Sequence, residues 1–145
     1  MQTQHLQTVL LTGATGYIGS RLLARLSKES NNVRCIARNP EYLMNKNSFL
    51  DLDIRRCDLL EKETVNDHFE GVDVAYYLVH SLNSGKDFRE KELTCANNFL
   101  EACVANKVKK IVYLGGLASG EDVLSQHLDS RMRVGNVLSS SEIPV

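Results

Sequence analysis

Three glycines follow a short apolar run near the start of the chain, within the segment Thr8–Ser20, TVLLTGATGYIGS. Gly13 is expected to permit a tight turn after a strand, and Gly16 to let a ligand approach the backbone. Gly19 would let the next helix pack closely against the sheet. A helix that begins near Tyr17 would direct its free N–H groups and positive dipole end toward phosphates. At the start of a βαβ unit, this pattern predicts a pyrophosphate-binding site for a dinucleotide.

Short β-branched runs alternate with segments of helical periodicity, which predicts an α/β fold with both faces of a parallel sheet covered. Right-handed crossovers would give a Rossmann-type, doubly wound sheet with strand order 3-2-1-4-5. The predicted strands are Thr8–Leu11, Val33–Ala37, Leu52–Arg56, Val74–Val79 and Lys110–Leu114. The predicted helices are Tyr17–Ser30, Glu61–Phe69, Lys86–Asn106 and Ser125–Ser139, and a short helix or turn is predicted near Glu41–Asn45.

The last residues, Ser140–Val145, have the pattern of an entry to a sixth strand, which a complete domain of this kind usually carries. We therefore expect residues 1–145 to form one dinucleotide-binding domain that stops before its sixth strand. The alternative is that a partner supplies the missing edge.

Composition and charge argue against several other classes of protein. The chain has 17 basic and 18 acidic residues, and no basic stripe suggests nucleic acid. The N-terminus lacks the features of a signal peptide, and no apolar run approaches the roughly 20 residues of a membrane span. The four cysteines form no CxxC pair and no metal-ligand cluster with the scattered histidines. We expect a cytoplasmic protein with free thiols, no metal and no contact with membranes.

The residues after the second strand bear on which dinucleotide binds. NAD-specific sites place a carboxylate about 20 residues beyond the glycines, where it binds the ribose hydroxyls. Here that position is Arg38, and a guanidinium there matches the charge and shape of a 2′-phosphate. Arg34, within the strand, is a weaker candidate for the same role. The sequence favours NADP(H), with NAD(H) as the alternative if Arg38 is a solvated turn residue or stacks on the adenine.

Asp58 and Leu59 follow the third strand, where an adenine ring should lie. The Asp58 carboxylate can accept a hydrogen bond from the exocyclic amine, and Leu59 can cover the face of the ring. Asp58 can equally be the N-cap of the next helix, because Glu61 stands three residues later as in a capping box. Both interpretations stay open at this point.

Taken together, these motifs resemble the extended and atypical short-chain dehydrogenase/reductases. The resemblance rests on TGATGYIG, the turn Arg38-Asn39-Pro40, Asp58-Leu59 and the segment YLGGLAS after the fifth strand. More narrowly, the chain is similar to the NAD(P)H-binding, NmrA-like group and to related epimerase-like proteins. The predicted cofactor-binding residues are Gly13, Thr15, Gly16, Tyr17, Ile18, Gly19, Arg38, Asp58, Leu59, Leu78, Val79, His80 and Gly115.

The catalytic groups that the resemblance implies are largely missing. Active members use a Ser or Thr after the fifth strand and a Tyr-x-x-x-Lys on the next helix, whose tyrosine moves a proton. Here Gly115 and Gly116 occupy the place of the serine-rich segment, Ser119 is the nearest hydroxyl, and no Tyr-x-x-x-Lys occurs. His127 and Arg131 instead stand at the same spacing of four, on one helical face. They are candidates for proton donation and positive charge, or else ordinary surface residues.

Two functional hypotheses follow. The first is an NAD(P)(H)-dependent oxidoreductase or epimerase-like enzyme that acts on an unknown small molecule. Its nicotinamide would lie over Gly115 and Gly116, with Ser119, His127 and Arg131 as the catalytic candidates. The alternative is a non-catalytic module that senses the dinucleotide and binds a protein partner. A homo-oligomer is compatible with either hypothesis. The resemblance also implies a C-terminal substrate-binding portion that this sequence would lack, so a fragment that binds the cofactor weakly and has no activity alone is a third possibility.

Overall fold

The computed structural model describes residues 6–29, 32–46, 52–79, 85–116 and 125–145. Within these ranges, five strands form one parallel sheet in the order β3-β2-β1-β4-β5. They are β1 (Thr8–Thr12), β2 (Asn32–Ala37), β3 (Asp53–Arg56), β4 (Val74–Tyr77) and β5 (Lys110–Tyr113). The predicted fold class and strand order are confirmed.

Helices connect these strands. They are α1 (Tyr17–Leu26), α2 (Glu41–Met44), α3 (Lys62–Val65), α4 (Phe88–Ala105) and α5 (Gln126–Leu138). Two short 3₁₀ helices, Asn66–Phe69 and Gly85–Asp87, adjoin α3 and α4. The single helix predicted over Glu61–Phe69 is therefore divided, because its second half tightens into a 3₁₀ turn before Gly71, whose φ is +72°.

The core lies on both faces of the sheet, because β1 is central and its side chains alternate. Val9 and Leu11 pack on the face that α1 covers with Leu23, whereas Leu10 belongs to the opposite cluster. In that cluster the Phe99 ring of α4 meets the Tyr77 ring edge to face, with centroids 4.9 Å apart. The two layers hold β1 and β4 in the middle of the domain.

A threonine hydroxyl ties the ends of the two central strands together. Thr12 is buried at the end of β1, and its Oγ1 donates to the Tyr76 carbonyl at 2.8 Å. The same oxygen accepts from the Leu78 N–H at 3.1 Å. Because parallel strands end at one edge, this bond holds together the edge where ligands of such sheets bind.

The residues after α5 lie beside β5 but do not form a strand. Residues 140–145 are turn, bend and irregular backbone, where the entry to a sixth strand was expected. The Ile111 N–H of β5 donates to the Pro144 carbonyl at 2.9 Å. The chain therefore reaches the edge of β5 with one backbone hydrogen bond in place.

An ion-pair network connects the side chains of β2 and β3. The Arg34 guanidinium donates to the Asp53 carboxylate at 2.8 Å and to the carbonyls of His68 and Glu70 at 2.7 and 2.9 Å. Arg55 donates to the same carboxylate. Arg34 is only 14% exposed and is occupied by these contacts, so the interpretation of Arg34 as a cofactor contact is wrong.

We predict that Asp53→Asn lowers the free energy of unfolding at pH 7 by about 1 kcal/mol. Partial burial raises the pKa of Asp53, but hydrogen bonds from Arg55 and Arg34 outweigh burial and hold the pKa below its ordinary value. The stabilisation is therefore present above the unfolded pKa and is lost as the pH falls through the folded pKa. Urea unfolding between pH 7 and pH 3 measures it. Asp67→Asn, which removes an exposed carboxylate nearby, is the control, and a deficit that is constant over this range would contradict the prediction.

Candidate functional site

The glycine loop joins β1 to α1 with almost no free space inside it. Gly13 has a φ of +72°, and a Cβ there would lie 2.5 Å from the Leu78 carbonyl oxygen. A Cβ on Gly19 would lie 2.0 Å from the Gly13 carbonyl oxygen. Both positions therefore require glycine for the fold itself, as the sequence predicted for a tight turn and a close helix approach.

Gly16 differs from the other two glycines of the loop. A Cβ there would meet only the Gly13 carbonyl oxygen, at 3.4 Å, which is an ordinary contact distance. Its φ of −78° and ψ of 174° suit any residue. Packing within the chain therefore does not explain the glycine at this position, whereas a ligand that approaches the backbone from the cavity would.

The first turn of α1 leaves its N–H groups free. Gly16 is the N-cap and makes no side-chain capping bond, and the first turn contains no acidic residue. The Ser20 N–H donates to the Gly16 carbonyl at 2.9 Å, so the N–H groups of Tyr17, Ile18 and Gly19 precede the first bond of the helix. The positive end of the helix dipole is thus available to an anion.

This helix end opens onto a cavity of about 600 Å³ along the carboxyl edge of the sheet. The predicted cofactor-binding residues that line it are Gly13, Thr15, Gly16, Tyr17, Ile18, Gly19, Arg38, Asp58, Leu59, Leu78 and Val79. Gly115 is not among its lining residues. His80 lies outside the described residues. The strands therefore gather one continuous surface from segments far apart in the chain.

Asp58 and Leu59 form the wall of the cavity after β3. The Asp58 carboxylate accepts from the Leu60 N–H at 3.0 Å, and α3 begins only at Lys62 with Glu61 as its N-cap. The interpretation of Asp58 as the N-cap is therefore wrong, because its side chain closes a turn that delays the helix. The buried Asn98 side chain of α4 donates to the Leu59 carbonyl at 2.7 Å and fixes this wall.

Arg38 lines the cavity from the turn after β2 and is exposed. Its carbonyl accepts from the Arg56 guanidinium at 2.7 Å, and Arg56 also pairs with Glu41. Within the described part of the chain, the Arg38 guanidinium itself forms no ion pair. Its backbone is thus held in place while its charge stays available.

Two cysteines add an uncharged patch to the same wall. Cys57 and Cys95 are buried, unpaired and line the cavity. Burial, followed by the nearby Asp58 carboxylate, raises the pKa of each thiol to about 11. Both thiols are therefore protonated at neutral pH and present a neutral surface to a ligand. All four cysteines are free and buried, which confirms the expectation of free thiols.

At the opposite end of the cavity, α5 packs directly on the segment after β5. A Cβ on Gly116 would lie 2.3 Å from Leu128 Cδ1, so the Leu128 side chain fills the space beside this glycine. The Tyr113 hydroxyl donates to the Arg131 carbonyl at 2.9 Å. Burial raises the pKa of Tyr113, although the Arg131 guanidinium nearby acts to lower it. Because Leu128 Cδ1 is the far end of a flexible side chain, its closeness to position 116 does not by itself require glycine there.

The structure separates two of the three catalytic candidates, His127 and Arg131. Arg131 is half-buried and lines the cavity. His127 is exposed, its ring centroid lies 5.4 Å from that of Phe88, and it is not among the cavity residues. Ser119 lies outside the described residues.

Lys91 is a cavity residue that the sequence reasoning missed. It lies on α4, four residues before Cys95, and both side chains line the cavity. No motif surrounds it, but the spacing of four to a buried cysteine was a signal that both lie on one helical face. The cavity therefore holds three basic residues, Arg38, Lys91 and Arg131, with one carboxylate, Asp58.

Among the described residues, no group of three or more His, Cys, Asp or Glu side chains could hold a metal ion. In the same part of the chain, no helix is both long enough and apolar enough to cross a membrane.

Comparison with known proteins shows which proteins this chain is similar to. A family model described as NAD(P)H-binding matches residues 13–141. The auxiliary protein GraX of Staphylococcus aureus is 30% identical over 113 residues, which is 74% of this chain and 36% of GraX. The chain thus spans about a third of the length of that relative.

Two solved structures share the fold. A nucleoside-diphosphate-sugar epimerase from Staphylococcus aureus superposes with a TM-score of 0.78 at 19% identity, over 94% of this chain and 48% of that one. The triphenylmethane reductase of a Citrobacter species, complexed with NADP(H), superposes with a TM-score of 0.77 at 20% identity, over 94% and 46% of the two chains. This chain thus spans about half of each neighbour.

We predict that two alanine substitutions in the loop differ strongly in their effect on stability. Gly19→Ala forces a backbone clash and should cost about 3 kcal/mol or more of the free energy of unfolding. Gly16→Ala meets no close contact and should change that free energy by less than about 1 kcal/mol. Urea unfolding of both variants without ligand measures the difference. Equal destabilisation would contradict the distinction between the two glycines.

Proposed function

The chain belongs to the NAD(P)H-binding family, and we propose that it is the NADP(H)-binding domain of an atypical short-chain dehydrogenase/reductase-like protein. The observation that carries this proposal is the free N-terminus of α1, which opens onto the cavity beside a glycine that internal packing does not require. A pyrophosphate is the anion that such a loop would hold.

Each part of a dinucleotide can be assigned to a group of residues along the cavity. The adenine would lie against Asp58 and Leu59, and the pyrophosphate against the N–H groups after Gly16. The nicotinamide end would then lie toward Leu78 and Val79, near the ends of β1 and β4. The bound cofactor would supply or accept a hydride, while this chain binds, orients and shields it.

Arg38 supports NADP(H) over NAD(H). Its guanidinium is exposed at the cavity, has no ion-pair partner among the described residues, and follows β2, where the adenosine ribose is expected. A 2′-phosphate would supply the missing counter-charge in a bidentate geometry. The neutral thiols of Cys57 and Cys95 place no competing negative charge there.

An oxidoreductase or epimerase-like activity on a small molecule is the first candidate for the whole protein. It draws on the similarity to a reductase and a sugar epimerase. Arg131 is the catalytic candidate that lines the cavity, and it would supply positive charge rather than a proton. His127 and Ser119 remain candidates whose roles depend on a substrate. Free buried thiols suit a reducing compartment such as the cytoplasm.

A dinucleotide-sensing module that binds a protein partner or a second copy is the second candidate. The specific observation in its favour is the absence of a Tyr-x-x-x-Lys sequence anywhere in the chain. The similarity to a protein described as auxiliary points the same way. Such a module would bind NADP(H) without turnover.

We predict that Arg38→Ala weakens NADPH binding by about tenfold or more and leaves NADH binding nearly unchanged, since only NADPH carries the 2′-phosphate. Fluorescence titration with both dinucleotides measures the two affinities. Arg25→Ala is the matched control, because it removes an exposed arginine of α1 that pairs with Glu29. Equal NADPH affinity in wild type and Arg38→Ala would refute the assignment of the 2′-phosphate.

Steady-state oxidation of NADPH against aldehydes, ketones and quinones separates the two candidate functions. If the protein is an enzyme, Arg131→Gln should lower turnover by about tenfold or more, because a charge at the reaction end is lost. His127→Ala tests the exposed histidine, and unchanged turnover would remove it from the candidates. Saturable NADPH binding without turnover on any substrate class would favour the sensing module.

A further inference from the structure

Two basic side chains from different helices line the cavity without a charge partner. Lys91 projects from α4 and Arg131 from α5, and both belong to the cavity wall. Neither forms an ion pair with any other residue in the described ranges. Two unpaired positive charges that face one cavity favour the binding of an anion there.

Packed contacts hold these two positions together. Glu92, which follows Lys91, accepts a hydrogen bond from the Ser130 hydroxyl, which precedes Arg131. Ser130 is 1% exposed, so this bond lies inside the contact between α4 and α5. The Tyr113 hydroxyl holds the Arg131 carbonyl from β5. These bonds fix the backbones of α4 and α5 relative to each other, and the exposed Lys91 and half-buried Arg131 side chains extend from that framework.

Arg131 is separate from Arg38. Arg38 follows β2, whereas Arg131 lies over the segment after β5, three strands away in the sheet order. At a spacing of about 4.8 Å between neighbouring strands, that separation is roughly 14 Å. One phosphate cannot contact both arginines, and the pyrophosphate of the proposed cofactor is assigned to the N–H groups after Gly16, so Arg131 is left for another anion.

We infer that Lys91 and Arg131 bind an anionic group of the substrate, a carboxylate or a phosphate, at the β4–β5 end of the cavity. The inference rests on the proposed dinucleotide site, whose reacting end would lie in this part of the cavity. A guanidinium offers a planar fork to two oxygens, and the Lys91 ammonium adds a point charge. Because Arg131 is half-buried, solvent and salt screen its charge less than that of a surface arginine.

The test is a titration of NADPH-saturated protein with inorganic phosphate and, separately, malonate, at constant ionic strength. Calorimetry should give saturable binding of at least one of them, and the stronger one identifies the type of anion. Lys91→Gln and Arg131→Gln should each lower the affinity for that anion by about tenfold. Arg131→Lys keeps the charge but loses the planar fork, so its affinity for the anion should lie between that of Arg131→Gln and that of wild type. Arg133→Gln removes a nearby charge that pairs with Asp129 and should bind like wild type.

Three results would overturn the inference. The first is no saturable binding of either anion, and the second is equal binding in wild type, Lys91→Gln and Arg131→Gln. The third is a tenfold loss of NADPH affinity in the Lys91 and Arg131 variants, which would assign the pair to the cofactor. If NADPH fails to bind wild type, the proposed function fails instead, and the same anion titration of the protein alone still tests the pair. Thermal unfolding of each variant shows whether it is folded.

Discussion

The close approach of Gly19 to the backbone of Gly13 is the contact on which the rest of the site depends. A single methyl group at Gly19 would lie 2.0 Å from the Gly13 carbonyl oxygen, so α1 starts directly over the end of β1. That position aims the first N–H groups of α1 at the cavity. It also leaves Gly16 as the one glycine of the loop whose neighbours within the chain would tolerate a side chain.

The elements around this loop arrange charge along the cavity edge. On one side, Arg56 holds the backbone of Arg38 and pairs with Glu41, so Arg38 keeps its own charge available. On the other side, the contact between α4 and α5 brings Arg131 to the wall through the Ser130 and Tyr113 hydrogen bonds. Free helix N–H groups lie between these two ends. The cavity is thus suited to a long, polyanionic ligand, and the family to which the chain belongs binds one.

The parts of the fold that periodicity and glycine spacing encode were predictable. The strand order and the roles of Gly13 and Gly19 in the loop follow from local sequence, and the structure confirms them. Predictions were wrong where tertiary contacts decided the outcome. Asp58 closes a turn instead of capping α3, and Arg34 is taken up by Asp53 and two carbonyls.

Packing between distant segments was not readable from the sequence. The sequence predicted a nicotinamide over Gly115 and Gly116 but gave no sign that Leu128 of α5 packs beside Gly116. Lys91, which no motif marked in the sequence, is exposed and lines the cavity. Both findings depend on how α4 and α5 are placed against the sheet, and the local sequence around Gly116 or Lys91 does not contain that information. The matching i, i+4 spacing of His127 and Arg131 likewise did not bring both into the cavity.

The most direct test of the account is NADPH binding to the wild-type chain and to Gly16→Ala, followed by amide chemical shifts in a titration. The account predicts saturable binding to wild type, with the largest shifts at the N–H groups of residues 16–19. It predicts a loss of about tenfold or more in affinity for Gly16→Ala, since the methyl group would keep the pyrophosphate from the backbone. Equal affinity of the two folded proteins, or shifts that leave the glycine loop unmoved, would contradict it.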